Sequence, residues 1–167
     1  RLPSGEVVRG PVWPGLAAFP DFTDPKARAW WGEKLKGFLE MGVAGLWLDM
    51  NEPALFAAWG EPTLPASARH ALEGQGGDHR LAHNLYGLLM ARASWEGFRK
   101  HAPERRPFLL TRSGHAGVQR YAWAWTGDVE STWEGLRTTL RALLGLSLSG
   151  VYFVGSDIGG FSGNPSP

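Results

Sequence analysis

Apolar positions along the chain fall into two alternating kinds of run. In the first kind, Ala27, Trp30, Trp31, Leu35, Phe38 and Leu39 recur at helical spacing. Asp24 stands ahead of them as an N-cap, Pro25 takes the first helical position, and Gly42 supplies the stop. The second kind is short and unbroken: Val43, Ala44, Leu46, Trp47 and Leu48, ended by Asp49 and closed by Pro53. Bounded in this way, it reads as a strand buried on both faces, as in a parallel sheet. A buried helix segment competes, but the run is too short for one. The alternation then repeats. Leu81, Leu85, Leu88, Leu89, Trp95 and Phe98 predict a helix over 78–101, stopped by Pro103. A short strand over 107–110 leads into Thr111 and Arg112. Tyr121, Trp123 and Trp125 make a strand-like turn. Ser131 and Glu134 form a capping box for a third helix carrying Leu136, Leu140, Leu143 and Leu144. Another buried strand over 151–154 ends in Gly155, Ser156 and Asp157. Two stretches lack either pattern. Residues 1–22 read as a surface loop rich in Pro and Gly. Residues 53–77 form a long irregular segment that is expected to overhang whatever Asp49 does, since loops of this length in compact domains are commonly functional or mobile.

Helices alternating with short apolar strands call for parallel pairing through right-handed crossovers. Asp49, Arg112, Asp128 and Asp157 each stand at or just past a strand end. In a (β/α)8 barrel all such ends open on one face, so these four residues would converge. A doubly wound open sheet is the other α/β arrangement, but no Gly-rich phosphate loop follows a first strand.

Composition narrows the classes. The 167 residues are 43% hydrophobic, which suits a packed core and excludes a disordered chain. A net charge of +1 argues against nucleic acid or an anionic membrane surface as partner. No run of apolar residues reaches membrane-spanning length. Cysteine is absent, so disulfides and thiolate metal sites are excluded, and a cytoplasmic setting is compatible with this. His70, His79, His83, His101 and His115 show no metal-ligand spacing; His79 and His83 are four apart but lack a third partner. Ser113 and Ser156 lack the nucleophile-elbow pattern. Neither metal nor organic cofactor is expected. Nine Trp are unusual for this length; they fill cores by default, and their faces also stack on the C–H face of a sugar ring.

Two carboxylates from different strand ends, with an arginine and several Trp, suit glycoside hydrolysis. One carboxylate attacks the anomeric carbon, while the other protonates the departing oxygen and then activates water. Each residue also has a plain structural reading. Asp49 and Asn51 could cap the turn that follows their strand, and Asp128 and Asp157 could be ordinary turn residues. Arg112 could be a surface charge, and Glu52 could be solvated or bonded to Arg112.

The same residues resemble glycoside hydrolase family 31, the retaining α-glucosidases. WLDMNEP at 47–53 is similar to its nucleophile signature, which implies Asp49 as nucleophile and Glu52 as the accompanying acid. WTGDVESTWEGL at 125–136 is similar to the acid/base loop, which implies Asp128 as proton donor. TRSGHAGVQRY at 111–121 resembles the segment between them, with Arg112 on the sugar. GSDIGGF at 155–161 resembles the segment whose Asp157 and Phe161 line the subsite of the cleaved sugar. VWPG at 12–15, PDFTDP at 20–25 and HNLYG at 83–87 match as well. By the same resemblance Trp13, Trp47, Met50 and Trp125 wall the pocket. Val129 departs from the family pattern, which often has Asn there.

The resemblance implies an exo-acting α-glucosidase that releases terminal glucose from α-glucoside oligosaccharides. α-Xylosidase and transglycosylase activities of the same family share both Asp residues, and a non-enzymatic sugar-binding or structural role is the alternative from another class. A whole barrel takes about 250 residues. The chain is therefore expected to be a partial catalytic domain over 1–167, about half to two-thirds of a (β/α)8 TIM barrel. Other segments of the same enzyme would complete it, the isolated piece would be inactive, and a homo-oligomer is left open.

Overall fold

The computed structural model describes residues 1–56 and 62–165. Its centre is a four-stranded sheet of β3 (Gly45–Leu48), β6 (Phe108–Thr111), β7 (Trp123–Trp125) and β8 (Val154–Gly155), paired in that order. All three pairings are parallel, as the alternating pattern predicts. The last pair between β3 and β6 is Leu48 with Thr111. Asp49 and Arg112 therefore leave neighbouring strands at the same height.

Helices α1 (Pro25–Glu40) and α3 (Tyr86–His101) cover one face of β3 and β6. Leu35, Leu39, Leu48, Phe98 and Leu109 are the buried heart of this layer. The Asp24 side chain caps α1 by accepting from the Lys26 N–H, with Pro25 in the first turn. The buried stripe of α1 differs from the expected one. It runs through Arg28, Gly32, Leu35 and Leu39, while Trp30 and Phe38 are exposed. The reason is a close approach to α3: a Cβ on Gly32 would stand 3.1 Å from the Gly97 Cα. The contact follows the two glycines rather than the largest side chains. The buried Arg28 is not left unpaired: it donates to the Phe22 carbonyl at 2.8 Å and meets Glu73 at 3.0 Å.

Other expectations need correction. Residues 1–22 are not all loop: β1 (Arg9–Val12) and β2 (Gly15–Ala18) form an antiparallel hairpin. Pro11 lacks an N–H, yet its carbonyl accepts from Phe56, a role open to Pro in a two-stranded ribbon. Gly15, at φ +108°, turns the chain in a conformation that glycine adopts without steric cost. The segment 53–77 carries a small antiparallel pair, β4 (Arg69–His70) and β5 (Gly77–Asp78), and a 3-10 turn at Leu72–Gly74. Residues 57–61 of that segment lie outside the described residues.

The helix expected over 78–101 is broken. Asp78 caps a single turn, α2 (His79–Ala82), a 3-10 turn follows at His83–Leu85, and α3 begins at Tyr86. Leu81 is consequently exposed. The third helix, α4 (Trp133–Leu148), is capped by Thr132 rather than Ser131, its side chain accepting from the Gly135 N–H at 2.9 Å. Its expected apolar face does not meet the sheet. Leu136, Leu140 and Leu144 are exposed, and Thr139 is its buried residue. β8 pairs through only two residues, so Tyr152 and Phe153 are exposed rather than strand core. β3 is likewise not buried on both faces: Leu48 is buried, while Trp47 is 64% exposed on the opposite side. No described helix is long and apolar enough to cross a membrane.

Candidate active site

The C-terminal ends of the parallel strands open into a cleft of about 680 Å³. Strand alternation decides which side chains reach it. Trp47 and Asp49, two residues apart, line it, while Leu48 between them enters the core. Trp123 and Trp125 of β7 line it by the same rule. Of the residues expected at the site, Trp13, Trp47, Asp49, Met50, Arg112, Trp125, Asp128, Asp157 and Phe161 all line this one cleft. Glu52 does not line it; it stands behind Arg112.

Arg112 is the electrostatic hub. Its Nε and Nη2 donate to Glu52 Oε1 and Oε2, both at 2.9 Å. Its Nη1 stands 3.0 Å from Asp49 Oδ1 and 4.0 Å from Asp128 Oδ2. Sharing that nitrogen keeps these two oxygens within about 7 Å, a bound that includes the separation of about 5–5.5 Å typical of retaining glycosidases. The Glu52 hydrogen bonds, then the charges of Asp49 and Asp128, push the Arg112 pKa further above its already high value. The guanidinium therefore stays charged at any working pH and offsets the carboxylates gathered round it.

Local backbone geometry aims Asp49. Met50 N–H donates to Asp49 Oδ1 at 2.8 Å, and Met50 itself adopts a left-handed φ of 52°. For a residue with a Cβ this conformation costs roughly 1 kcal/mol or more. It turns the chain so that Asp49 faces the cleft and Asn51 faces the interior. The walls are aromatic. The rings of Trp47 and Trp125 lie 5.7 Å apart, and Trp13, at the tip of the β1–β2 hairpin, meets Phe56 edge-on at 4.8 Å.

Trp123, Phe56, Pro62 and Asn51 are among the contributors that were not singled out from sequence. Trp123 could have been found, because it alternates with Trp125 on one strand and must share its face. Phe56 and Pro62 sit in the irregular segment, where no periodicity says which side chain faces inward. Asn51 read as a turn residue, and the structure buries it at 1% exposure. His70 and His79 form a cluster apart from the cleft. His70 Nδ1 meets Asp21 Oδ1 at 2.9 Å, and His70 Nε2 meets His79 Nδ1 at 3.0 Å. Among the described residues no group of three or more His, Cys, Asp or Glu is placed to hold a metal ion.

Known proteins are similar to this chain in sequence and fold. The profile of the glycosyl hydrolases family 31 TIM-barrel domain matches residues 1–167. The chain is 48% identical to alpha-glucosidase 2 of Bacillus thermoamyloliquefaciens over 160 residues, covering 96% of this chain and 20% of that protein. It is 42% identical to human neutral alpha-glucosidase C, covering 96% of this chain and 18% of that protein. Among solved structures it is similar to the glucosidase II alpha subunit in its alpha3-Glc2-bound form, with TM-score 0.86 and 34% identity over 98% of this chain and 18% of that one. The chain thus spans about a fifth of the length of the curated relatives it matches. With the parallel sheet, the cleft at its strand ends and the profile match over every residue, the chain belongs to glycoside hydrolase family 31, within its TIM-barrel domain.

Proposed function

We propose that this chain is the central part of the catalytic barrel of an α-glucosidase that removes terminal glucose with retention of anomeric configuration. The observation that carries the reading is the single Arg112 guanidinium facing both Asp49 and Asp128 across an aromatic-walled cleft. Similarity to proteins named alpha-glucosidase supports the substrate class. The open side of β3 at Trp47 and the exposed leucines of α4 support a larger barrel around this piece.

In the proposed reaction Asp49 attacks the anomeric carbon, aimed by the Arg112 Nη1 that stands 3.0 Å from its Oδ1. Asp128 gives its proton to the departing oxygen, which leaves as an alcohol. Water then attacks the anomeric carbon of the glucosyl–Asp49 ester as Asp128 takes its proton, and the bond from that carbon to Asp49 breaks, releasing the carboxylate. Trp47, Trp125 and Phe161 exclude bulk water and offer faces to the ring, while Arg112 and Asp157 hold its hydroxyls. Glu52 acts through Arg112. No metal or organic cofactor enters the sequence of steps.

The test is the full-length protein with maltose, followed by NMR from the first turnovers. Glucose released first as the α-anomer is the expected result, and a first-formed β-anomer would overturn retention. Asp49→Ala is expected to abolish hydrolysis while leaving glucose binding measurable. Unchanged hydrolysis would remove Asp49 from the mechanism.

A further inference from the structure

The ladder between β3 and β6 ends at the pair Leu48 and Thr111, with the Arg112 N–H bonded to the Leu48 carbonyl at 3.1 Å. Asp49 and Arg112 come one residue later, where strand pairing no longer fixes their separation. A side chain takes over there. Asn51 Nδ2 donates to Thr111 Oγ1 at 2.8 Å, and Asn51 Oδ1 accepts from the Ser113 N–H at 3.0 Å. Thr111 Oγ1 in turn donates to the Ser113 carbonyl at 2.8 Å. The Ser113 N–H can only donate, and the Thr111 proton is already spent, so the amide has one satisfactory orientation. Asn51 and Thr111 are both fully buried. Asn51 is two residues past Asp49, and Thr111 and Ser113 bracket Arg112.

We infer that Asn51 is a positioning residue for the reaction: its amide extends the β3–β6 pairing past the end of the ladder and sets Asp49 against Arg112. It also holds the left-handed backbone at Met50, whose relaxation would swing the Asp49 carboxylate out of the cleft. The inference rests on the α-glucosidase reading, since it concerns how the nucleophile of that reaction is aimed. Asn51 itself does not line the cleft. Its effect is therefore on turnover more than on substrate binding. A misplacement of about 1 Å at a reacting group costs on the order of 100-fold in rate.

The test compares wild type, Asn51→Ala, Thr111→Val and Thr111→Ser in the full-length protein. Active sites are counted by calorimetric titration with 1-deoxynojirimycin, and kcat is expressed per titrated site. For Asn51→Ala and Thr111→Val, kcat on maltose is expected to fall about 100-fold with KM within about threefold. The loss is expected to be equal on 2,4-dinitrophenyl α-glucoside, because nucleophilic attack fails whatever the leaving group. Thr111→Ser, which keeps the hydroxyl, is expected to restore kcat to within about threefold of wild type. A merely structural role would reduce the number of titrated sites and leave kcat per site unchanged, and that result overturns the inference. So does a loss carried by KM alone. A wild-type protein that hydrolyses no α-glucoside overturns the α-glucosidase reading and this inference with it, whereas an active wild type with unimpaired variants overturns only the positioning role.

Discussion

Glu52 accepts two hydrogen bonds from the one guanidinium of Arg112, through Nε and Nη2, and Nη1 faces Asp49 and Asp128. A bidentate pair of this kind fixes the plane of the guanidinium as well as its charge. Glu52→Gln keeps one acceptor and loses the second. It is expected to lower kcat/KM by about 10- to 100-fold, the worth of a charge-assisted hydrogen bond. Arg112→Lys is expected to be at least as damaging, since an ammonium cannot hold Glu52 in two places and reach Asp49 as well. Steady-state kinetics on maltose check both, and a Glu52→Gln enzyme with wild-type kcat/KM would show that Arg112 needs no second support.

The proton donor separates from the nucleophile by its dependence on the leaving group. Asp128→Ala removes the proposed acid and is expected to leave Asp49 and Arg112 in place. On maltose the expected loss in kcat/KM is about 100- to 10,000-fold, the usual worth of general acid catalysis. On 2,4-dinitrophenyl α-glucoside, whose leaving group departs without a proton, the loss is expected to be at least about tenfold smaller. Equal losses on the two substrates would put the proton donor elsewhere.

The convergence of the strand-end residues was more readable in the sequence than the packing was. Asp49, Arg112, Asp128 and Asp157 each follow an apolar run, and parallel topology brings the ends of such runs to one side. That inference needs only element order. What covers a face is a different matter. The spacing of Leu136, Leu140 and Leu144 correctly places them on one helix, but periodicity cannot say that the described residues leave them exposed. Trp47 has the same history. The hairpin at 9–18 was hidden because Pro11 and Pro14 suggest irregular chain, yet a two-stranded ribbon tolerates them. Asn51 was hidden for another reason. Its partners Thr111 and Ser113 lie some 60 residues away, and no local pattern reports a bond of that range.

The packing of α1 on α3 turns on two glycines. A Cβ added at Gly97 would come within 2.6 Å of the Gly32 Cα, which is backbone and cannot swing aside. Gly97→Ala must therefore push the helices apart and loosen Leu35, Leu39 and Phe98 beneath them. Helix propensity alone would favour the substitution by about 1 kcal/mol. Overpacking of this kind costs typically about 1–3 kcal/mol, and with rigid atoms on both sides the larger figure is expected to win. Thermal unfolding of the full-length variant checks the sign: a lower midpoint is expected, and a raised one would mean that the helices separate without cost. Lys34→Ala, on the exposed side of α1, serves as the control with little effect.

The buried histidines predict how the fold responds to acid. Burial, followed by the neighbouring His70 and His83, lowers the His79 pKa from 6.5 to about 4, against the opposing pull of Asp78. Burial opposes ionisation of Asp21 too, but hydrogen bonds from His70, Thr23 and the Ala71 N–H outweigh it and hold that carboxyl well below the usual range. Both groups bind a proton more readily in the unfolded chain, so both make stability rise with pH. For His79 the contribution is complete above pH 6.5 and is lost as pH falls towards 4. For Asp21 the loss begins only below its ordinary value of 3.8. Thermal midpoints are therefore expected to decline in two stages, the first between pH 6.5 and 4 and worth on the order of 2 kcal/mol. His79→Gln removes the first stage. The variant is expected to be less stable than wild type at pH 7, where the chain from Thr63 through His79 to His70 is cut. The gap should then narrow as pH approaches 4. A gap constant over that window would show that His79 does not carry the acid response.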